Sequence, residues 1–333
     1  MATLTTTSLT LLDWAKRLDP DGKTSKVVEL LNQTNEILDD MTFIEGNLPT
    51  GHLFTQRTGL PTVYFKTINA GVPSSKSTTV QLTEQAAMLR SFSQVDADLA
   101  ELNGNVRAFR LSEAQAFVEA MSQKMATTIF NGNQGTDPEQ FTGLAPRYSS
   151  TTAGNGSNII LGGGSGSDNA SIYLVGWGDR MVTGIFPKGS KAGIEHNDRG
   201  KILIQNAGGT TGNFMDAYVD SWSWNAGLAV IDWRYCVRIP NIDISNLVAQ
   251  SSAADLPVLM IKAMHRIPSL KNCKPVFYMN RTCFQMLDIE CRAAVSTGGQ
   301  LSYDVVDGKR MTSFRGIPIK VCDALTETEA VVS

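Results

Sequence analysis

The residues with the widest chemical repertoire are few in this chain of 333 residues. There are three histidines, His52, His196 and His265, and five cysteines, Cys236, Cys273, Cys283, Cys291 and Cys322. A metal site needs convergent spacing such as H-x-x-x-H or C-x-x-C, and neither occurs. A G-x-S-x-G nucleophile elbow is also missing. His265 stands eight residues before Cys273, which leaves a Cys–His pair open. The simpler expectation is a buried thiol and an unrelated imidazole, since cysteine is among the most buried residue types. An odd cysteine count without C-x-x-C fits free thiols in a reducing compartment better than a disulfide framework. Asp39, Asp40 and Glu45 could gather as carboxylates, but exposed charge is the default, so a solvated face on an arm is expected.

Two glycine-rich stretches invite a phosphate-loop reading. Gly162-Gly163-Gly164-Ser165-Gly166 has no following lysine and sits among turn formers, so it reads as a loop. Gly184-Ile185-Phe186-Pro187-Lys188-Gly189-Ser190-Lys191 reverses the Lys and Ser of the phosphate motif. Its Pro187 also removes a backbone donor. Trp177, Trp222, Trp224 and Trp233 fall together in the second half of the chain. They could line a sugar or base pocket, but tryptophan usually buries a large area, and core or subunit contact is the expectation. None of these patterns calls for a cofactor or a metal.

The elements that must position side chains emerge from patterning. Hydrophobic residues are 42% and charged residues 18% of the chain, which is ample for a folded core. The length favours two subdomains. Net charge is −3, so no basic excess points to nucleic-acid gripping. No apolar run approaches a membrane span, and Met1–Thr10 lacks the pattern of a secretory signal.

Residues 1–48 read as an arm with a helix from a Ser25 cap to about Asp39. Thr62–Ile68 and Ser77–Thr83 are β-prone and flank turn chemistry at Asn69–Lys76, which predicts a long hairpin. Its apolar face is thin, and an isolated hairpin is marginal in water. Val63, Tyr64, Phe65, Lys66, Ile68, Val80 and Leu82 on it are therefore the candidate contact residues for a neighbour. The strongest helix signal runs over 112–131, with Ser112 and Gln115 as a capping box and Gly132 as the stop. Residues 171–245 look β-rich, with one strand from Leu228 to Ile239 alternating apolar and polar side chains. Leu256–Met264 and Arg281 to about Val295 predict helices, the second capped by Asn280. Pro275–Met279 and Gly316–Val321 predict strands.

Short strings along the chain carry a resemblance. They include Ile37-Leu38-Asp39-Asp40-Met41, Arg57-Thr58-Gly59-Leu60-Pro61, Leu102-Asn103-Gly104-Asn105 and Phe109-Arg110-Leu111-Ser112. Others are Phe141-Thr142-Gly143-Leu144-Ala145-Pro146-Arg147-Tyr148, Gly184–Gly193, Asp232-Trp233-Arg234-Tyr235, Phe277-Tyr278-Met279-Asn280-Arg281-Thr282 and Gly316-Ile317-Pro318-Ile319. In order and number they resemble the major capsid proteins of short-tailed bacteriophages of the Salmonella phage epsilon-fifteen kind. The resemblance implies an α+β, Hong Kong 97-like capsid fold. It implies an N-terminal arm (1–48), an extended E-loop (49–85), a peripheral domain with a long spine helix (86–254) and a mostly axial domain (255–333). The implied function is a structural coat protein that self-assembles as hexamers and pentamers into an icosahedral shell around double-stranded DNA, touched non-specifically. Decoration, scaffolding and portal proteins are the implied further partners, with assembly in the host bacterial cytoplasm and no membrane. Lys66 and Lys76 match no motif for subunit cross-linking. Two alternatives make different expectations: an encapsulin-like compartment with enzyme cargo, and a compact β-rich binding or hydrolytic monomer. A compact monomer of 36.0 kDa should expose about 13,000 Å²; a coat subunit should clearly exceed that.

Overall fold

The computed structural model describes residues 33–333, apart from 103–104, 206–211, 252–253, 294–300 and 307–308; for 291–293, 301–306 and 309–311 it describes the backbone alone. The helix expected from Ser25 to about Asp39 lies mostly outside the described residues. Where they begin, residues 33–36 are not helical, with Asn35 bridged to Cys322, so the expected helix does not reach α1 (Ile37–Asp40), which is a short separate turn of helix. Next come β1 (Phe43–Glu45), β2 (Gly51–Gly59), β3 (Thr78–Asp96), α2 (Ala97–Glu101), α3 (Val106–Asn131) and α4 (Leu144–Arg147). Then follow β4 (Asn169–Trp177), β5 (Val182–Phe186), β6 (Ile194–Gln205), β7 (Phe214–Val230), β8 (Cys236–Asp243), α5 (Ile244–Ala249) and α6 (Leu256–Met264). The chain closes with β9 (Lys274–Met279), α7 (Arg281–Ala293), β10 (Leu301–Val306), β11 (Lys309–Phe314) and β12 (Ile317–Val321).

Helix α3 is the longest, and it begins six residues before the expected start. Asn105 caps it by accepting the Ala108 N–H. The first turn is worth keeping helical because Phe109 is buried with Val95 and Ala100. Ser112 lies inside the helix and donates to the Phe109 carbonyl, so it is no cap. Gly132 ends the helix as expected, donating its N–H to Thr128 O. A second correction falls on Leu228–Ile239. Asp232 accepts the Arg234 N–H and pairs with the Arg234 guanidinium, closing a 3₁₀ turn at Trp233–Tyr235. The alternating stretch is therefore the end of β7, a turn, and β8. The elements expected after β8 match. Leu256–Met264 is helical, and Asn280 Oδ1 accepts the Cys283 N–H at the start of α7.

Among the described residues the strands run β10-β11-β12-β9-β4-β5-β7-β3-β2, with β1 on β5, β6 on β7 and β8 on β4. Every residue of β4 is buried because both faces of the sheet are covered. Tyr173, Val175 and Trp177 point into one core with Met121, Met125, Ile129 and Phe130 of α3. Ile172 and Leu174 point into another with Val237, Phe277, Leu256 and Met260. Period-two alternation in one strand thus stitches two cores together.

Cysteines and tryptophans serve this packing. Cys236, Cys283 and Cys322 are buried and free. Burial pushes each of these thiols up to about 12, far from reactivity at neutral pH. Cys273 Sγ faces the Ser269 and Leu270 carbonyls while His265 is exposed, so the two form no pair. Trp177, Trp222 and Trp224 are buried, and Trp222 stacks on Phe117 of α3 at 5.5 Å. The Gly162–Ser167 stretch is a loop, tied to β8 by the Gly162 and Gly164 N–H groups.

Candidate assembly surface

Strands β2 and β3 form the long hairpin, but its rungs lie elsewhere than the sequence predicts. Gly51–Gly59 pairs with Thr78–Gln85, and residues 60–77 join no ladder. Thr62–Ile68 is therefore not a strand. Among the described residues nothing offers it a pleated partner, and β-propensity acts through such surfaces. β3 then continues without a break. Its second half, Ala86–Asp96, pairs with β7 inside the body. Nineteen residues at about 3.4 Å each make a strand of roughly 60 Å, half of it in the projecting hairpin.

The tip is apolar and open to solvent. Every residue from 60 to 76 is exposed. Leu60 is 81% exposed, Val63 87%, Phe65 107% and Ile68 93%. Tyr64 and Val72 are about half exposed, and Lys66 is exposed beside them. Val80 and Leu82 lie on β3, opposite Gln56 and Phe54, and are also exposed. All seven candidate contact residues thus fall on one hairpin, with Leu60 and Val72 as members that patterning missed. Burying Leu60, Val63, Phe65 and Ile68 would be worth about 6–12 kcal/mol at about 1.5–3 kcal/mol each, before the cost of ordering the loop.

The root of the hairpin is held firmly. Arg147 of α4 grips both oxygens of Glu84 at 2.5 and 2.6 Å, and its Nη2 also donates to Thr142 O. Gln134 donates to Gln85, and Gln56 donates to Ile231 O. Backbones meet closely here. A Cβ on Gly51 would sit 1.9 Å from Glu84 O, and one on Gly227 would sit 2.6 Å from Gln85 O. The two partners Glu84 and Arg147 are 63 residues apart, and no local pattern links them.

The end of the arm is pinned by a group that the sequence places wrongly. Asp40 is 4% exposed, not solvated. Its Oδ1 lies 2.7 Å from Lys274 Nζ, and its Oδ2 lies 3.0 Å from Lys320 Nζ and accepts from Tyr278 OH at 2.9 Å. Trp177 Nε1 donates to Tyr278 OH at 2.8 Å. Burial first, and then the Asp40 charge, push the Tyr278 phenol well above its ordinary range. A buried carboxylate is stable only with such partners. Glu45 remains near the surface and accepts the Gly189 N–H. Among the described residues no group of three or more His, Cys, Asp or Glu side chains could hold a metal, and no helix is long and apolar enough to cross a membrane.

A standing-off hairpin, a long helix under a two-faced sheet and a pinned arm are the parts of a Hong Kong 97-like capsid subunit. A model of the major capsid protein GP7 family matches residues 19–333. The chain belongs to that family and is a coat protein that assembles into an icosahedral shell, with its place in the virion. It is similar to a chain in the near-atomic structure of bacteriophage Epsilon15, with 30% identity, a TM-score of 0.78 and 100% of both chains covered. It is also similar in fold to the bacteriophage JBD30 capsid, with 10% identity, a TM-score of 0.50, and 89% and 92% of the two chains covered. No curated protein matches the chain. The family match sides with the coat protein over a β-rich binding monomer.

Proposed function

We propose that the subunit builds hexamers and pentamers, and that its E-loop tip supplies a principal contact between neighbours. Val63, Tyr64, Phe65, Lys66, Ile68, Val80 and Leu82 are the residues we assign to that contact. The observation that carries this is the fully exposed apolar tip on a rigidly rooted hairpin. An exposed apolar patch with no cover among the described residues marks a protein-contact site. The arm occupies residues 1–48, the E-loop 49–85, the peripheral domain 86–254 and the mostly axial domain 255–333. In this reading the wall is structural, without a catalytic role. It assembles in the host cytoplasm and encloses double-stranded DNA, which near-neutral charge lets it hold without gripping. Scaffolding, portal and decoration proteins are further partners in the same reading.

Size exclusion and negative-stain electron microscopy of the purified chain under reducing conditions test this. Hollow shells, or rings of six and five subunits, are expected. Excising residues 60–77 and closing β2 to β3 with a two-residue turn should leave a folded subunit that makes neither. Shells from the excised chain, or loss of its fold, would remove the E-loop from this role.

A further inference from the structure

The hairpin tip has an unbalanced charge. From Gly46 to Thr83 there is no Asp or Glu, and Arg57, Lys66 and Lys76 are the strong cations. The opposite end of the same long strand carries the reverse. β3 runs out at Asp96 into α2, where Asp98 and Glu101, three apart, share one exposed face. Glu101 touches Lys201 Nζ at 3.4 Å and accepts from Tyr218 OH at 3.3 Å, and these two residues are a cross-strand pair of β6 and β7. Further toward the hairpin end of β6 and β7, the rungs on that face are Leu203 with Asp216, then Gln205 with Phe214. Leu203, Phe214 and Asp216 are all exposed. The patch is thus apolar with three carboxylates against one ammonium, and the nearby Arg110 guanidinium, over the Tyr218 ring at 5.1 Å, is already paired with Asp198 and Asp220.

We propose that this acidic apolar end, formed by Asp98, Glu101, Leu203, Phe214 and Asp216, receives the cationic apolar tip, residues 60–77, of a second copy. The inference rests on the E-loop contact above and names its acceptor. Two complementary patches at opposite ends of one element make a head-to-tail, heterologous interface, which gives a ring where its rotation closes. Charge complementarity fixes register and speeds encounter, while the apolar side chains carry the affinity.

The test is a charge exchange read as the threshold concentration for assembly at low salt, on variants whose melting temperature matches the parent. K66E/K76E alone and D98K/D216K alone should each raise the threshold about tenfold. The four changes combined in one chain should bring it back to within about threefold of the parent. Added salt should erase the differences. If the D98K/D216K chain fails to fold, D216K with K66E repeats the exchange. A combined variant worse than either half would overturn the acceptor assignment. So would K66E/K76E assembling normally while Phe65→Asp abolishes shells, which leaves the loop contact standing and moves its acceptor. Normal assembly of Phe65→Asp would overturn both.

Discussion

Phe65→Ala separates folding from assembly at a single side chain. The ring is fully exposed in the subunit, so its loss removes no internal packing. Exposed substitutions of this kind stay within about 0.5 kcal/mol, and the melting temperature of the isolated subunit should not move. In the proposed shell each subunit lends one tip and receives one, so each loses one buried ring. That loss is about 1.5–3 kcal/mol per subunit. At about 1.4 kcal/mol per tenfold, the threshold concentration for shells should rise roughly 10- to 100-fold. Phe277→Ala is the control, because that ring, on β9 between β4 and β12, is wholly buried in the core against Phe314. It should lower subunit stability by about 3–5 kcal/mol. Light scattering against concentration reads assembly, and urea unfolding of the subunit reads stability. An unchanged threshold, or a Phe65→Ala subunit that unfolds at markedly lower urea, would refute the assignment of this ring to a neighbour.

Other perturbations test the scaffold behind the tip. Glu84→Ala leaves Arg147 half-buried without its carboxylate and should reduce stability by about 3 kcal/mol, measured by urea midpoint, with little change between low and high salt. Asn105→Ala should lower stability by about 1 kcal/mol and Ser112→Ala by much less, because Asn105 caps α3; equal effects would return the helix start to Ser112. Burial raises the Glu290 carboxyl to about 7, with Asp255 adding to the rise and the Leu256 backbone opposing it. A raised folded-state value means that stability is fully present below the unfolded value and declines as pH climbs through about 7. Glu290→Gln should therefore raise the melting temperature at pH above that value and leave it unchanged in acid; a uniform effect would mean that the charge is not what matters.

Signals confined to a few residues could be read from the chain. Asn280 caps α7, Gly132 stops α3, and Leu256–Met264 is a helix because capping, glycine geometry and apolar spacing act within one or two turns. Signals that depend on distant partners could not. Asp40 looks like any surface carboxylate until Lys274, 234 residues away, is folded against it. The period-two pattern through Leu228–Ile239 continues across a turn that one Asp232 side chain closes, and alternation alone cannot register that closure. Asn105 outcompetes Ser112 as a cap only because Phe109 finds a core with Val95 and Ala100.

The most informative mismatch is at the hairpin. Thr62–Ile68 carries the valine, tyrosine, phenylalanine, threonine and isoleucine of a strand, yet it pairs with nothing. β-propensity expresses fit to a pleated, half-buried surface rather than a preference of the backbone alone. A segment that keeps strand-forming side chains while no described residue of its subunit pairs with it fits the proposed contact with a neighbour. The position of the segment supports this. It sits at the end of a strand of roughly 60 Å whose root is clamped by Glu84–Arg147 and whose far half is locked to β7. That rigidity limits how much freedom the tip can lose on docking, so more of its apolar burial is available to hold subunits together. A hairpin that propensity reads as a strand and the isolated subunit leaves unpaired is what one half of an interface looks like when its other half belongs to the next copy.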